Sequence, residues 1–435
     1  MSTISKLQNV KGTFDYFGQE QALRRRVQKE LETLFELYDF DSMETPMLNE
    51  LELLASKYAG GEEILKEMYQ LSDQGQRRLG LRYDLTVPFA KVMALYPGLE
   101  LPFKRYEIGK VFRDGPVKRG RLREFLQCDA DVVGIAGPEA EAELMQLAVD
   151  AFRKLNIPIV IRWNNRRFIG ELLGRLGVRQ EADIVSVLLT LDKLAKIGLA
   201  GVRDELREKG LQADTLERLE QLVLLQAPSL EELAERYGLQ DSPGTAEARA
   251  LQELLNAASL ADVCRFDPFL SRGLTFYTGT VYEIFDATGA FASSLGSGGR
   301  YDAIIGQLIG REDLPFPAVG LSFGMESIMA LLKERQMPEP AVPILIVPIG
   351  DTLPKVLAAA AALRRSGLRV RLETRGRKLR KLLPSAAAQG IRYVMLIGET
   401  ETESNQVRLK DMRQATEDVL TLEKAVEKLT AMRSD

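Results

Sequence analysis

The sequence predicts an α+β protein in more than one domain, and three stretches carry that expectation. Residues 111–132 read as a strand, a basic turn and a returning strand. Between Trp163 and Asp262 the pattern is almost wholly helical. After residue 343, short apolar runs alternate with helical ones, as in a small sheet with covering helices.

The elements follow in order. From about 20 to 38, Val27, Leu31, Leu34, Phe35 and Tyr38 recur at helical spacing among Arg24, Arg25, Lys29, Glu32 and Glu36, which makes an amphipathic helix. It leads into Met43-Glu44-Thr45-Pro46, where the proline closes a strand. In the returning strand of the hairpin, a period of two puts Arg121, Arg123, Phe125, Gln127, Asp129 and Asp131 on one face. Leu122, Leu126, Cys128, Ala130 and Val132 take the other, and Glu124 breaks the pattern. Guanidiniums, an aromatic ring, an amide and carboxylates in a row suit a ligand that is polyphosphate at one end, base in the middle and amine at the other. ATP lying beside an amino acid fits that description.

In the helical block, Ile184, Val185, Leu188 and Leu189, then Leu216, Leu219 and Leu222, give helical stripes, which reads as an inserted subdomain over about 165–260. Strand patterning returns at Gly279 to Phe285 and Ser293 to Leu295. The charged, proline-rich segment from Lys333 to Pro343 reads as a linker. Beyond it come strand Ile344 to Val347, helix Leu353 to Arg365, strand Arg369 to Leu372, helix Lys378 to Ala388 and strand Tyr393 to Ile397, with Gly367 and Gly390 as helix stops.

Composition narrows the chemistry. The 435 residues allow two to three domains, and 45% apolar residues is ordinary for a globular chain. No apolar run reaches the roughly 20 residues of a membrane span, and the start has no apolar segment of a secretory signal. Cys128 and Cys264 make no disulfide framework, so a reducing cytoplasm is expected. There is no histidine at all. Acid–base and metal chemistry on imidazole is therefore excluded, leaving carboxylates, arginines, backbone amides and a metal carried by the substrate. A net charge of −4 argues against a general nucleic-acid coat and leaves room for local basic tracks.

The hairpin pattern Phe-Arg-Asp-Gly-Pro-Val-Lys-x-Gly-Arg-x-Arg-Glu-Phe-x-Gln-Cys-Asp, ending at Asp129, resembles motif 2 of class II aminoacyl-tRNA synthetases in the form seen in histidyl-tRNA synthetases. Arg272-Gly273-Leu274-Thr275-Phe276-Tyr277-Thr278-Gly279 resembles the histidine-specific signature of that family, and Gly298-Gly299-Arg300-Tyr301-Asp302 its glycine-rich strand loop. The resemblance implies a class II antiparallel sheet with flanking helices over 1–330, a linker over 331–342 and an α/β anticodon-binding domain over 343–435. It implies ATP with Mg2+, histidine and tRNA(His) as ligands, a homodimer formed through the first helix and the strand ending at Pro46, and no membrane partner.

Site residues follow by the same match. Arg113 and Arg272 are expected at the α-phosphate as the catalytic pair, Arg121 and Arg123 at the other phosphates, and Phe125 on adenine. Asp84 and Thr86 are expected to receive the amine with Gln127 near it, while Asp131 and Tyr277 take the imidazole. An imidazole has two nitrogens, and selecting it needs a polar partner at each. No resident metal is expected. Lys118 to Arg121 and Arg375 to Lys381 are basic tracks for tRNA phosphates. The chain departs from the pattern in three places: Ser327 stands where the family has an arginine packing on ATP, Thr275-Phe276 replaces Asp-Tyr, and Ser297 replaces a glycine. Ser327 keeps an alternative open, a non-catalytic paralogue that binds histidine as a regulatory subunit of ATP phosphoribosyltransferase; residues 343–435 favour the ligase.

Overall fold

The computed structural model describes residues 7–56, 65–191, 193–225, 227–270, 277–311, 316–335 and 344–432. Arg272, Thr275 and Phe276, and most of the proline-rich segment, lie outside the described residues. Contacts divide the chain into two compact units, Met1–Met337 and Pro338–Asp435.

The strands of the first unit are β1 (Asp41–Ser42), β2 (Leu48–Glu50), β3 (Gln70–Ser72), β4 (Arg78–Leu81), β5 (Phe103–Phe112), β6 (Glu124–Val133), β7 (Ile159–Asn165), β8 (Cys264–Phe266), β9 (Thr280–Asp286), β10 (Gly296–Arg300) and β11 (Ala318–Gly324). Eight of them form one sheet in the order β1-β5-β6-β11-β10-β9-β7-β8, and β2-β4-β3 form a small second sheet. From β5 to β7 every neighbouring pair is antiparallel. The edge strands β1 and β8 instead pair parallel with β5 and β7, so the sheet is mixed at its margins. A parallel neighbour needs a long crossover, and both edges have one: the small sheet precedes β5, and the helical block separates β7 from β8.

One face of β6 is core. Cys128, Ala130 and Val132 pack with Leu144, Ala148 and Phe152 of helix Glu139–Lys154 and with Phe35 of helix Gly18–Leu37. The first helix thus spends its apolar stripe internally: Val27, Leu31, Leu34 and Phe35 are each 3% exposed or less. Covered within the chain, that stripe offers no apolar surface to a second copy. The helix is further tied down by buried Arg24, whose guanidinium grips both oxygens of Glu326 at 2.7 and 2.8 Å.

Between β7 and β8 lie helices Arg166–Arg175, Glu181–Leu191, Leu194–Glu208, Ala213–Val223, Leu230–Arg236 and Pro243–Ala257. Their starts show why the chain turns there: Asn165 accepts from Phe168 N–H, Ser229 and Glu232 cap each other's backbone, and Ser242 accepts from Thr245 N–H ahead of Pro243. In the second unit β12 (Ile344–Pro348), β13 (Val370–Leu372), β14 (Tyr393–Ile397), β15 (Gln406–Asp411) and β16 (Thr416–Thr421) make a sheet ordered β13-β12-β14-β15-β16. Helices Leu353–Arg365 and Leu379–Ala388 stand where the sequence predicts them. The sequence reading missed β16 and the final helix Leu422–Ala431, because β16 is a largely exposed edge strand with no apolar alternation.

Candidate active site

The hairpin pairs continuously from Phe103 opposite Val133 to Phe112 opposite Glu124. With Cys128, Ala130 and Val132 in the core, alternation turns Gln127, Asp129 and Asp131 to the other side, where they line a cavity of about 220 Å³. Asp84, Thr86, Arg113 and Tyr277 line the same cavity, so six of the residues expected at the site come together. Tyr83, Ser297, Tyr301 and Ser322 also line it, none of them expected as a ligand-binding residue. The floor depends on missing side chains. A Cβ on Gly320 would run into the Asp131 carboxylate, and one on Gly298 into the Gly320 carbonyl and the Tyr282 ring.

A buried ionic network supports this floor. Arg105 is fully buried and holds the Asp131 carboxylate at 2.7 Å, while the Tyr301 hydroxyl donates to the other Asp131 oxygen at 2.5 Å. Behind it, Arg82 reaches Glu107 at 2.7 Å, and Thr45 donates to the same carboxylate at 2.9 Å. Charges this deep survive only when paired and hydrogen-bonded. Burial, with Asp131 and Asp129 close by, pushes the Tyr277 phenol well above its ordinary range, so it remains an O–H donor. Burial, reinforced by Asp131, likewise raises the Asp129 carboxyl to about 7. Asp84 accepts from Val87 N–H at 3.0 Å, at the start of helix Thr86–Leu95, and is thereby fixed at the rim.

Arg113 is clamped differently. Its guanidinium lies over the rings of Tyr83 at 4.3 Å and Phe125 at 4.9 Å, and its Nε donates to the Tyr83 carbonyl. It is the cation that the cavity wall offers among the described lining residues. Arg121, Arg123 and Phe125 do not line the cavity. β6 begins at Glu124, so strand alternation does not direct the two arginines; they pair with Glu67 at 2.6 Å and Asp114 at 3.1 Å. At the tip, Arg119 pairs with Glu334 and stands over the Phe291 ring.

Ser327 is buried on helix Met325–Glu334 beneath that tip, and a Cβ on Gly120 would lie 3.2 Å from its hydroxyl. The hairpin tip thus lies close against Ser327. Arg300 is no substitute cation: Glu141 holds it at 2.6 and 2.7 Å, and the carbonyls of Ile135 and Gly137 take its remaining donors. It borders a larger cavity of about 670 Å³, beside Arg167 and Glu247, which pair with each other at 2.8 Å. Its charges answer one another, whereas the smaller cavity gathers six of the residues expected at the site. The track Arg375 to Lys381 is mostly exposed, with Arg377 held by Glu373 at 2.6 Å.

Comparison with known proteins agrees with this geometry. Residues 12–328 match the family profile described as histidyl-tRNA synthetase, and residues 343–432 match that of an anticodon binding domain. The chain is 45% identical over 414 residues to histidine–tRNA ligase 1 of Bacillus cereus, covering 95% of this chain and 97% of that protein. It is 45% identical over 415 residues to histidine–tRNA ligase 2 of Shouchella clausii, covering 94% and 97%. Among solved structures, histidyl-tRNA synthetase from Nostoc sp. PCC 7120 superposes with a TM-score of 0.85 at 27% identity, over 98% of this chain and 99% of that one. A protein from Bacillus halodurans described as an ATP phosphoribosyltransferase regulatory subunit/histidyl-tRNA synthetase shares the fold at 20% identity and a TM-score of 0.73, over 90% and 98%. The motifs of the hairpin, the cavity they build and the extent of these matches agree, and the chain belongs to the histidyl-tRNA synthetase family.

Proposed function

We propose that this chain is a histidine–tRNA ligase, which joins histidine to ATP as histidyl-adenylate and passes the histidyl group to tRNA(His). The observation that carries the reading is the cavity itself: acceptors at Asp84, Gln127 and Asp129, a polar pair at Asp131 and Tyr277, and Arg113 at the wall. The histidine carboxylate is the nucleophile. It attacks the α-phosphorus of ATP, pyrophosphate leaves, and the terminal ribose hydroxyl of the tRNA then attacks the acyl carbon and releases AMP. No step needs an imidazole from the protein, in keeping with a chain that has none.

In this reading Asp84 and Thr86 take the ammonium with Gln127, Asp131 and Tyr277 bracket the imidazole, and Arg113 stabilises the charge that grows on the α-phosphate. Arg272 is its partner there by sequence match. Arg121 and Arg123 exchange their carboxylate partners for the outer phosphates of MgATP, and Phe125, already beside Arg113, stacks on adenine. The anticodon-binding unit and the two basic tracks contact the tRNA. The domain limits of the reading are 1–330, with the insertion at about 165–260, then 331–342 and 343–435. The chain acts as a cytoplasmic homodimer; Met47, Leu48 and Leu71, exposed just beyond Pro46 and on the small sheet, give a second copy apolar surface to cover. No helix among the described residues is long and apolar enough to cross a membrane.

Histidine-dependent ATP–pyrophosphate exchange tests the ligase reading. Exchange by the wild type is expected, and its absence at saturating histidine and MgATP would leave only the regulatory alternative. Sedimentation at micromolar concentration tests the dimer, which a clean monomer would remove.

A further inference from the structure

Two acceptors on the cavity wall are held in place but incompletely answered: one lacks a hydrogen-bond donor and the other a cation among the described residues. The Gln127 amide donates from Nε2 to the Ser322 hydroxyl at 3.0 Å, which leaves Gln127 Oε1 buried with no hydrogen-bond partner among the described residues. Ser322 lies opposite Asp129 in the β6–β11 register, and its hydroxyl donates in turn to the Asp129 carboxylate. Asp129 is 3% exposed and lines the cavity, yet it forms no ion pair among the described residues. The adjacent cation, Arg105, is engaged by Asp131. A relay of Gln127, Ser322 and Asp129, with the Gln127 amide nitrogen 3.5 Å from an Asp129 oxygen, therefore presents an amide oxygen and a carboxylate from alternate strand positions to the same space.

A buried acceptor without a donor and a buried carboxylate without a cation are both costly, and an ammonium answers the two together because it carries a positive charge and three N–H donors. We propose that Asp129 receives the α-ammonium of the amino-acid substrate together with Gln127 Oε1, as a specificity residue of the pocket, and that Ser322 is the positioning residue that aims both. The proposal rests on the ligase reading and extends it. Asp131 is a poorer seat for the amine, since Arg105 and Tyr301 already take its two oxygens. A proton on Asp129 would blunt its attraction for a cation. In the free chain that carboxyl sits near 7, raised by burial, Asp131 and Asp84 and opposed by Arg105. Glu107 stands opposite it on β5, and Arg113, Tyr277 and Tyr301 share its cavity. An arriving ammonium therefore favours the carboxylate and drives that proton off.

Titration calorimetry on the full chain decides it, with histidine and with 3-(imidazol-4-yl)propionate, which lacks only the amine. Asp129→Asn should weaken histidine on the order of tenfold, the worth of one charge-assisted hydrogen bond. The deamino analogue should bind the variant within about twofold of the wild type, because the lost partner is one it never used. Ser322→Ala should show the same selective loss to a lesser degree, which keeps the idea testable if Asp129→Asn folds poorly. Proton release on histidine binding at pH 7, read in two buffers of different ionisation enthalpy, should be smaller for Asp129→Asn than for the wild type. Equal weakening of both ligands, or unchanged histidine affinity, would overturn the assignment. A wild type that binds no histidine would instead overturn the ligase reading.

Discussion

The two ends of the β5–β6 hairpin handle charge in opposite ways. At the deep end, Asp131, Arg105, Glu107 and Arg82 are each 3% exposed or less and hold one another at fixed distances. At the open end, Arg119, Arg121 and Arg123 pair with Glu334, Glu67 and Asp114, and every one of those pairs faces water. The deep pairs cannot be exchanged without leaving a charge unsolvated, whereas the outer pairs can be traded for a phosphate at little cost. Under the proposed ligase reading, the contrast gives the amino acid a rigid, preformed pocket and the nucleotide an exchangeable set of cations.

The strongest way to break the comparison is to remove a deep partner. Asp131→Ala leaves Arg105 wholly buried without its carboxylate, which should cost about 3–5 kcal/mol of stability, while Asp131→Asn should cost less. Denaturant unfolding measures both. A near-neutral Asp131→Ala would mean that the deep network is not what holds the floor. An alanine here therefore affects more than histidine binding, because the same carboxylate serves the fold.

At the boundary between the two ends stands Arg113, on the cavity wall yet fixed by Tyr83 and Phe125 instead of a carboxylate. Arg113→Ala should lower the rate of pyrophosphate exchange on the order of 10²–10³-fold, the usual loss when a placed charge stabiliser is removed. Its melting curve should scarcely move, since no buried partner is orphaned. A variant that exchanges normally would shift the catalytic role away from the cavity wall.

The hairpin shows how much of this the sequence disclosed. Alternation along 125–131 separates the core face from the cavity face, and the structure keeps that division at Cys128, Ala130, Gln127, Asp129 and Asp131. The same alternation fails for Arg121 and Arg123, because the ladder stops at Glu124 and their backbones bond instead to Lys118, Arg113 and Gly12. The deep network was illegible for another reason. Nothing in their own segments marks Arg82, Arg105 and Glu107 as buried, and only their meeting in the fold makes that burial tolerable. Ser322 gave no sign either, since its importance lies in the register that sets it opposite Asp129. Ser327 was conspicuous as a departure, but the close approach of Gly120 to its hydroxyl is a fact of packing.

Within the deep end, Asp129 is the exception that sharpens the rule, being buried without a cation of its own. Its carboxyl is raised in the folded chain from 3.8 to about 7, so its contribution to stability is complete below about 4 and is lost as pH rises through 7. Asp129→Asn removes that titration. In the absence of ligand the variant should melt above the wild type at pH 8, with the gap narrowing towards pH 5. Parallel melting curves for the two across that range would show that Asp129 is already answered by a cation.

The smallest expected effect belongs to the open end, and there the absence of a stability change is itself informative. Arg121→Ala breaks a pair whose members are 46% and 21% exposed, so it should cost no more than about 1 kcal/mol in unfolding. If the arginine is held for the nucleotide, the same substitution should raise KM for ATP while leaving KM for histidine alone, and the rise should shrink as salt screens the phosphate contact. A stability loss comparable with that of Asp131→Ala would place Arg121 among the structural charges. A KM for ATP that neither the substitution nor salt alters would instead leave Arg121 as a surface pair, and the exchangeable end of the hairpin would then reduce to Arg119 and Arg123.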